Sequence, residues 1–324
     1  MTFAHILHNS GFHDPAALAD RVAAWRAVFD AERPDLILCE HSPTALVAAR
    51  GFPTIRVVIG TGFTCPPALA PLPCLRRWVQ HDPEELARDE QIVLGTVNHV
   101  LHADGQPPAP TLARLFMDAD ALVLRTLPEL DHYPARPGCR YAGVWANDRG
   151  NDLGWLTDRR PRVFAYLKPT AGIGEVLAAV GRVGGEVVAH VPGLAAADAT
   201  TARAAGVRLL DQPADIRIAG GECDLAVLNG THGTTVGVLL AGKPVVQVPI
   251  YLEQVLVALR TVALGAGRIA SRADPQAVAE AVREVYANPL YRAAARRFAR
   301  RYERFDPRAA VRSLADRLET LGSG

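Results

Sequence analysis

The sequence predicts an α/β protein built from two doubly wound, Rossmann-like domains with parallel sheets. Three observations carry this expectation. The chain has 324 residues, about twice the usual domain length, so each half can bury a core of its own. Short apolar runs alternate with helix-spaced segments through both halves. Between Trp145 and Pro161 the pattern lapses into ANDRGNDLGWLTDRR, polar, glycine-containing and aperiodic, which reads as a boundary. The expected division is 1–146, a linker at 147–160, and 161–324.

In the first half, Pro15 to Ala31 places Leu18, Val22, Trp25, Val28 and Phe29 at helical spacing and stops before Pro34. DLILC is a buried-strand run closed by Glu40-His41-Ser42-Pro43, followed by a short helix from Thr44 to Arg50 and the strand TIRVVIG. Strand, helix and strand within ~25 residues make a βαβ unit and imply parallel pairing. After the proline-rich loop PPALAPLPCLRR comes a long helix from Pro83 to about Ala103, then two expected strands, DALVLRT and CRYAGVW.

The second half reads as strand RVFAYL, helix Ile173 to Val183, strands EVVAHV and VRLL, and a short helix near Asp215. Strand DLAVLN, helix Thr231 to Ala241, strand PVVQVP, helix Tyr251 to Leu264 and a short strand near Arg268 follow. Proline-initiated helices at Pro275 to Ala287, Pro289 to Tyr302 and Pro307 to Leu321 complete it.

Composition narrows the function. Hydrophobic residues make up 49%, which excludes disorder, and a net charge of +1 offers no basic field for nucleic acid. Small ligands are the better partners. The five cysteines (Cys39, Cys65, Cys74, Cys139, Cys223) form neither a CxxC pair nor a metal-type cluster, which suits reduced thiols in a cytoplasmic protein. The N-terminus lacks a cationic segment followed by a long apolar one, and no apolar run reaches ~18 residues. Lysine occurs only at Lys168 and Lys243 while arginine, alanine, glycine and proline abound, a usage typical of G+C-rich bacterial genomes.

The chemistry-bearing stretch is LNGTHGTTVGVLLAGKPVVQVPIYLEQ, from Leu228 to Gln254. In open α/β sheets ligands bind beyond the carboxyl ends of strands, where glycines admit backbone amides and a helix N-terminus presents unpaired N–H groups. Here a strand end leads into Gly230 and Gly233 with hydroxyls at Thr231, Thr234 and Thr235, a shape suited to a diphosphate. The glycine spacing alone also fits an ordinary turn. The next strand ends at Pro249, and the following helix carries Glu253 and Gln254 in its first turn, a carboxylate beside an amide that together can hold the hydroxyls of one sugar; Glu253 alone equally suits a helix-dipole partner.

Taken together, NGTHGTTVGVLLAGKPVVQVPIYLEQ and the later VALGAG resemble the donor-site signature of GT-B nucleotide-sugar glycosyltransferases, the UDP-glycosyltransferase and macrolide-glycosyltransferase superfamily. The resemblance spans roughly Arg162 to Leu321; RPDLILCEHSPTALVAARGFPTIRVVIGTGF and PELDHY also look like the acceptor half of bacterial members. It implies a UDP- or dTDP-type sugar as co-substrate, with no other cofactor and no metal. It further implies a small hydrophobic acceptor, a lipid or natural product, with peripheral membrane contact through a lipid acceptor. By the same resemblance Asn229, Gly230, Thr231, His232, Gly233, Thr234 and Thr235 hold the diphosphate, Glu253 and Gln254 the sugar, and the LLDQPADI loop around Gln212 and Pro213 the base. Lys168 borders the donor.

Three positions depart from the family pattern. Asn229 stands where the family has a diphosphate-contacting histidine, Gly237 where plant relatives have a ribose-binding glutamate, and Glu253 where the family has aspartate. Acceptor domains of the family also open with a glycine-containing strand-turn-helix near the general base, whereas DLILC resembles a middle strand. On that comparison about three βα units are absent, on the order of 90 residues at roughly 30 per unit. The first domain is then expected to be truncated, leaving an uncovered sheet edge and a poorly soluble chain. The general base has no evident owner; His41 and Glu40 are the candidates, ahead of His8 and His13.

A non-catalytic nucleotide-sugar binder or an inactive relic is the alternative reading, and a GT-B sugar-nucleotide epimerase a third. Two further signals are discounted. RRFARRYERF puts Phe298, Tyr302 and Phe305 on one helical face, the pattern of a packed helix, and AGIGE lacks the third glycine and ribose-binding acid of a dinucleotide fingerprint.

Overall fold

The computed structural model describes residues 1–134, 136, 139–145 and 150–322. The chain forms two compact units, Met1–Gly143 with Ala309–Gly324, and Val144–Arg308.

The first unit opens with α1 (Phe3–Leu7) and a π-helical turn, His8–Phe12, in which Gly11 takes φ +91°. These two were not anticipated. Their sequence signal is local: the Thr2 hydroxyl oxygen accepts the Ala4 amide, and His5 Nδ1 accepts the Thr2 amide at 3.0 Å, a capping box around a helix too short to show periodicity. Then follow α2 (Pro15–Glu32), β1 (Leu36–Glu40), α3 (Pro43–Ala48), β2 (Ile55–Gly60), α4 (Pro83–Ala103), α5 (Ala113–Met117) and β3 (Ala121–Leu124). The strands form a three-stranded parallel sheet in the order β1-β2-β3. Phe3, Leu7, Leu18 and Val22 pack with Val97, Leu101 and Phe116 in one core. CRYAGVW, expected as a strand, makes only an isolated bridge from Tyr141 to Leu124.

The second unit contains β4 (Arg162–Tyr166), α6 (Ile173–Gly181), β5 (Glu186–His190), α7 (Ala196–Ala204), β6 (Val207–Leu209), α8 (Ile216–Glu222), β7 (Leu225–Leu228), α9 (His232–Leu240), β8 (Val245–Gln247), α10 (Leu252–Ala263), β9 (Gly267–Ile269), α11 (Pro275–Ala287) and α12 (Pro289–Arg301). The last helix, α13 (Pro307–Gly322), belongs to the first unit from Ala309 onward. All six strands are parallel, in the order β6-β5-β4-β7-β8-β9. Helix α7 escapes sequence reading because AADATTARA buries only Ala199 and Ala202. Parallel pairing of β5 with β6 nevertheless requires a crossover there.

The expected boundary at 146 and the linker residues 147–149 lie outside the described residues. The rest of the expected linker is packed onto the second unit: Leu153 is fully buried, Asn151 bridges to Ala214, and the amides of Leu156 and Thr157 donate to Glu186 at 2.8 and 2.9 Å. Polar composition concealed this because the segment bonds through its backbone. The C-terminal helix likewise departs from the expected division, since 309–324 group with the first unit. No helix among the described residues is long and apolar enough to cross a membrane.

At the amino ends of β4 and β7, Asp224 accepts the Arg162 amide at 2.8 Å and both contacts from Arg160 Nη1 at 2.9 Å. Burial opposes ionisation of Asp224, but these donors outweigh it and hold its pKa below the usual carboxylate value. Because the folded-state pKa is depressed, the stabilisation is present above the unfolded value of about 3.9 and is lost as pH falls through the folded one. Asp224→Ala is expected to lower unfolding free energy by about 2 kcal/mol at pH 7, with the difference shrinking in denaturant melts below pH 4.

Candidate functional site

Successive strands run from β4 toward β6 on one side of the sheet and from β7 toward β9 on the other. The chain changes direction between β4 and β7, so the loops leaving their carboxyl ends diverge and open a crevice. A cavity of about 160 Å³ lies there. Tyr166, Leu167 and Lys168 enter it from the end of β4, Pro192 from the loop after β5, and Asn229, Thr231 and Thr234 from the turn between β7 and α9. The sequence had grouped Lys168 with the Asn229–Thr235 turn, and the fold brings them together.

Asn229 is 5% exposed, and its carboxamide works inward. Its Oδ1 accepts the Lys168 amide at 2.6 Å, and its Nδ2 donates to the Val248 carbonyl at 2.8 Å. One planar group thereby ties the ends of β4, β7 and β8 together. In the structure this carboxamide acts as a brace, and the residue also lines the cavity.

The two glycines of the turn serve different ends. Gly230 has φ +85°, and a Cβ there would meet the Gln254 carbonyl oxygen at 2.6 Å, so packing against the start of α10 demands glycine. Gly233, in the first turn of α9, would place a Cβ in open space. Thr231 is the N-cap of α9, yet no side chain caps the helix, and no acidic residue occupies its first turn. The positive end of the helix dipole therefore lies beside the cavity with no acidic residue in its own first turn. Of the remaining turn residues, Thr235 is fully buried and accepts Gln247 Nε2 at 3.2 Å, and His232 is 5% exposed and absent from the cavity wall.

Helix α10 begins beside this turn. Gln254 is 3% exposed, and its Oε1 accepts the Ile250 amide at 2.8 Å, closing the loop before the helix. Glu253 is half-buried; burial raises its pKa, and the Lys168 charge opposes that rise. Tyr251, the N-cap residue, had no place in the sequence reading. Its hydroxyl accepts from Lys168 Nζ, and the ammonium lies 5.0 Å from its ring centroid. The available signal was weak: a tyrosine two positions ahead of Glu253, and one of only two lysines across the sheet edge.

Gln212 and Pro213 are exposed on the loop leaving β6, at the same sheet edge. That loop is joined to the cavity wall through His190, whose Nδ1 donates to the Leu210 carbonyl at 3.0 Å while its ring packs 5.3 Å from that of Tyr166. In the first unit, Glu40 is held by Arg125 Nη2 at 2.5 Å. His41 is exposed and takes φ +49°, a conformation uncommon outside glycine that histidine adopts more readily than most residues.

Three variants separate brace from spacer. Asn229→Ala strands a buried amide and a buried carbonyl and is expected to cost about 2 kcal/mol in urea unfolding. Gly233→Ala is expected to leave stability unchanged or raise it by about 0.5–1 kcal/mol, whereas Gly230→Ala should lower it by more than about 1 kcal/mol through backbone strain and contact.

Comparison with known proteins agrees with this architecture. Residues 174–314 match the family described as erythromycin biosynthesis protein CIII-like, C-terminal domain. The chain is 31% identical over 179 residues to zeaxanthin glucosyltransferase of Pseudescherichia vulneris, a match covering 51% of this chain and 42% of that enzyme; it thus spans less than half the length of that relative. Among solved structures, glycosyltransferase VinC in complex with dTDP superposes with a TM-score of 0.67 at 18% identity, over 95% of this chain and 79% of VinC. The spinosyn rhamnosyltransferase SpnG gives 0.65 at 17% identity, over 93% of this chain and 81% of SpnG. A calicheamicin glycosyltransferase gives 0.66 at 18% identity, over 95% and 80%. In sequence, residues 174–314 are similar to that family, and over nearly all of its length the chain has the fold of these GT-B glycosyltransferases.

Proposed function

We propose that the chain transfers a sugar from a UDP- or dTDP-linked donor to a small hydrophobic acceptor of the lipid or natural-product class. The observation that carries this reading is the uncapped amino end of α9 facing a cavity at the β4/β7 switch point, beside Lys168 and the hydroxyls of Thr231 and Thr234. Backbone amides at a helix start, a neighbouring ammonium and hydroxyls suit a diphosphate. The same groups favour departure of that diphosphate, since charge building on the leaving oxygens meets oriented dipoles that need no reorganisation. The reaction so drawn needs neither metal nor a further cofactor.

Glu253, beside the cavity and half-buried, is assigned to donor-sugar hydroxyls, and Gln212 and Pro213 to the base. VinC was solved with dTDP, and SpnG both with thymidine diphosphate and with spinosyn aglycone; these relatives support the donor and acceptor classes proposed. The five cysteines are free, which supports a reducing, cytoplasmic setting. On the acceptor side we assign His41 rather than Glu40 as the candidate base, because Glu40 is engaged by Arg125. That engagement also favours the second reading, a nucleotide-sugar binder without turnover.

Incubating the chain with UDP-glucose or dTDP-glucose and a panel of apolar alcohols, and following nucleoside diphosphate release, separates the readings. Acceptor-dependent release is the expected result; binding without release would support the binder. Thr234→Ala, which removes a hydroxyl from the cavity wall, is expected to weaken UDP or dTDP binding about tenfold, from the loss of roughly one charge-assisted hydrogen bond, in titrations where the melting temperature does not fall.

A further inference from the structure

The brace made by Asn229 fixes the backbone of Lys168 at the cavity wall, and among the described wall residues Lys168 is the one carrying a cationic side chain. Its ammonium has three protons to give. One goes to the Tyr251 hydroxyl, and the ring lies beneath the charge at 5.0 Å. Tyr251 is the N-cap residue of α10, with its backbone extended at φ −133° and ψ 170°. A neutral hydroxyl and an aromatic face hold an ammonium without cancelling its charge, which a carboxylate at that place would do. Glu253 feels this charge, since the ammonium opposes its burial-driven pKa rise.

We propose that Tyr251 is a positioning residue that presents Lys168 as the cationic contact for the outer phosphate of a nucleoside diphosphate, the hydroxyl and the phosphate sharing one ammonium. This rests on the nucleotide-sugar reading above and adds to it a specific division of labour. Asn229, which cannot carry charge and is spent on the brace, supplies the position; Lys168 supplies the charge; Tyr251 fixes where that charge points.

The full chain, with variants Lys168→Met, Tyr251→Phe and the double variant, is titrated with UDP and dTDP, and with uridine and thymidine as uncharged probes followed by saturation-transfer NMR. Lys168→Met is expected to weaken diphosphate binding ~10- to 100-fold and leave nucleoside binding unchanged. Tyr251→Phe, which keeps the ring and removes the hydroxyl, is expected to weaken diphosphate binding ~3- to 10-fold alone and to have no effect in the Lys168→Met background, since it acts through the lysine. Both side chains are exposed, and unchanged melting temperatures are expected. Diphosphate affinity unaffected by Lys168→Met, or equal Tyr251→Phe effects in both backgrounds, would overturn the assignment while the nucleotide reading stands. Failure of the unaltered chain to bind any of the four probes would overturn both.

Discussion

The carboxamide of Asn229 is the constraint on which the site depends. A parallel sheet that winds away in both directions from β4 and β7 leaves a gap at its carboxyl edge, where the ladder ends with the Val248 amide on the Leu228 carbonyl and the Leu167 amide on the His190 carbonyl. Asn229 ties the emerging loops with one acceptor and one donor on a single plane, to the Lys168 amide and the Val248 carbonyl. An ionised carboxylate offers no donor and could not make both bonds. With the three strand ends tied, the uncapped start of α9 and the side chain of Lys168 face the same cavity.

The turn residues divide between holding the fold and leaving room. Gly230, Thr235 and Gln254 are used inward: backbone against backbone, hydroxyl to Gln247, carboxamide oxygen to the Ile250 amide. Thr231 and Thr234 are what this leaves for a ligand. A motif that looks like seven consecutive contacts is better described as a supporting frame with a few outward-facing groups, and the frame is costlier to disturb because its polar atoms are buried.

The alternation of apolar runs and helical spacing made the architecture legible. The helix expected from Pro83 to about Ala103 is the observed Pro83–Ala103, opened by a proline, N-capped by Asp82 and carrying a full apolar stripe; the β7-turn-α9 unit was equally plain. Short or weakly amphipathic elements were not: α1 has five residues, and α7 is nearly all alanine, threonine and aspartate, with too little buried surface to leave a pattern. At the site, residue types and order identified the switch-point turn, but not the direction of each side chain. Nothing in the string Asn-Gly-Thr-His indicates that Asn229 faces inward, because its partners lie on β8 and beyond β4. Tyr251 was missed for the same reason: its significance is a contact across 83 positions of sequence with Lys168.

The central claim is that the amides opening α9 are the diphosphate's resting place, and amide hydrogen exchange reads those atoms directly. Exchange measured with and without dTDP at saturating concentration should slow at residues 231–235 and at Lys168, with the far ends of the same strands unchanged. Protection confined to other segments, or an exchange pattern that dTDP leaves unaltered, would contradict the account.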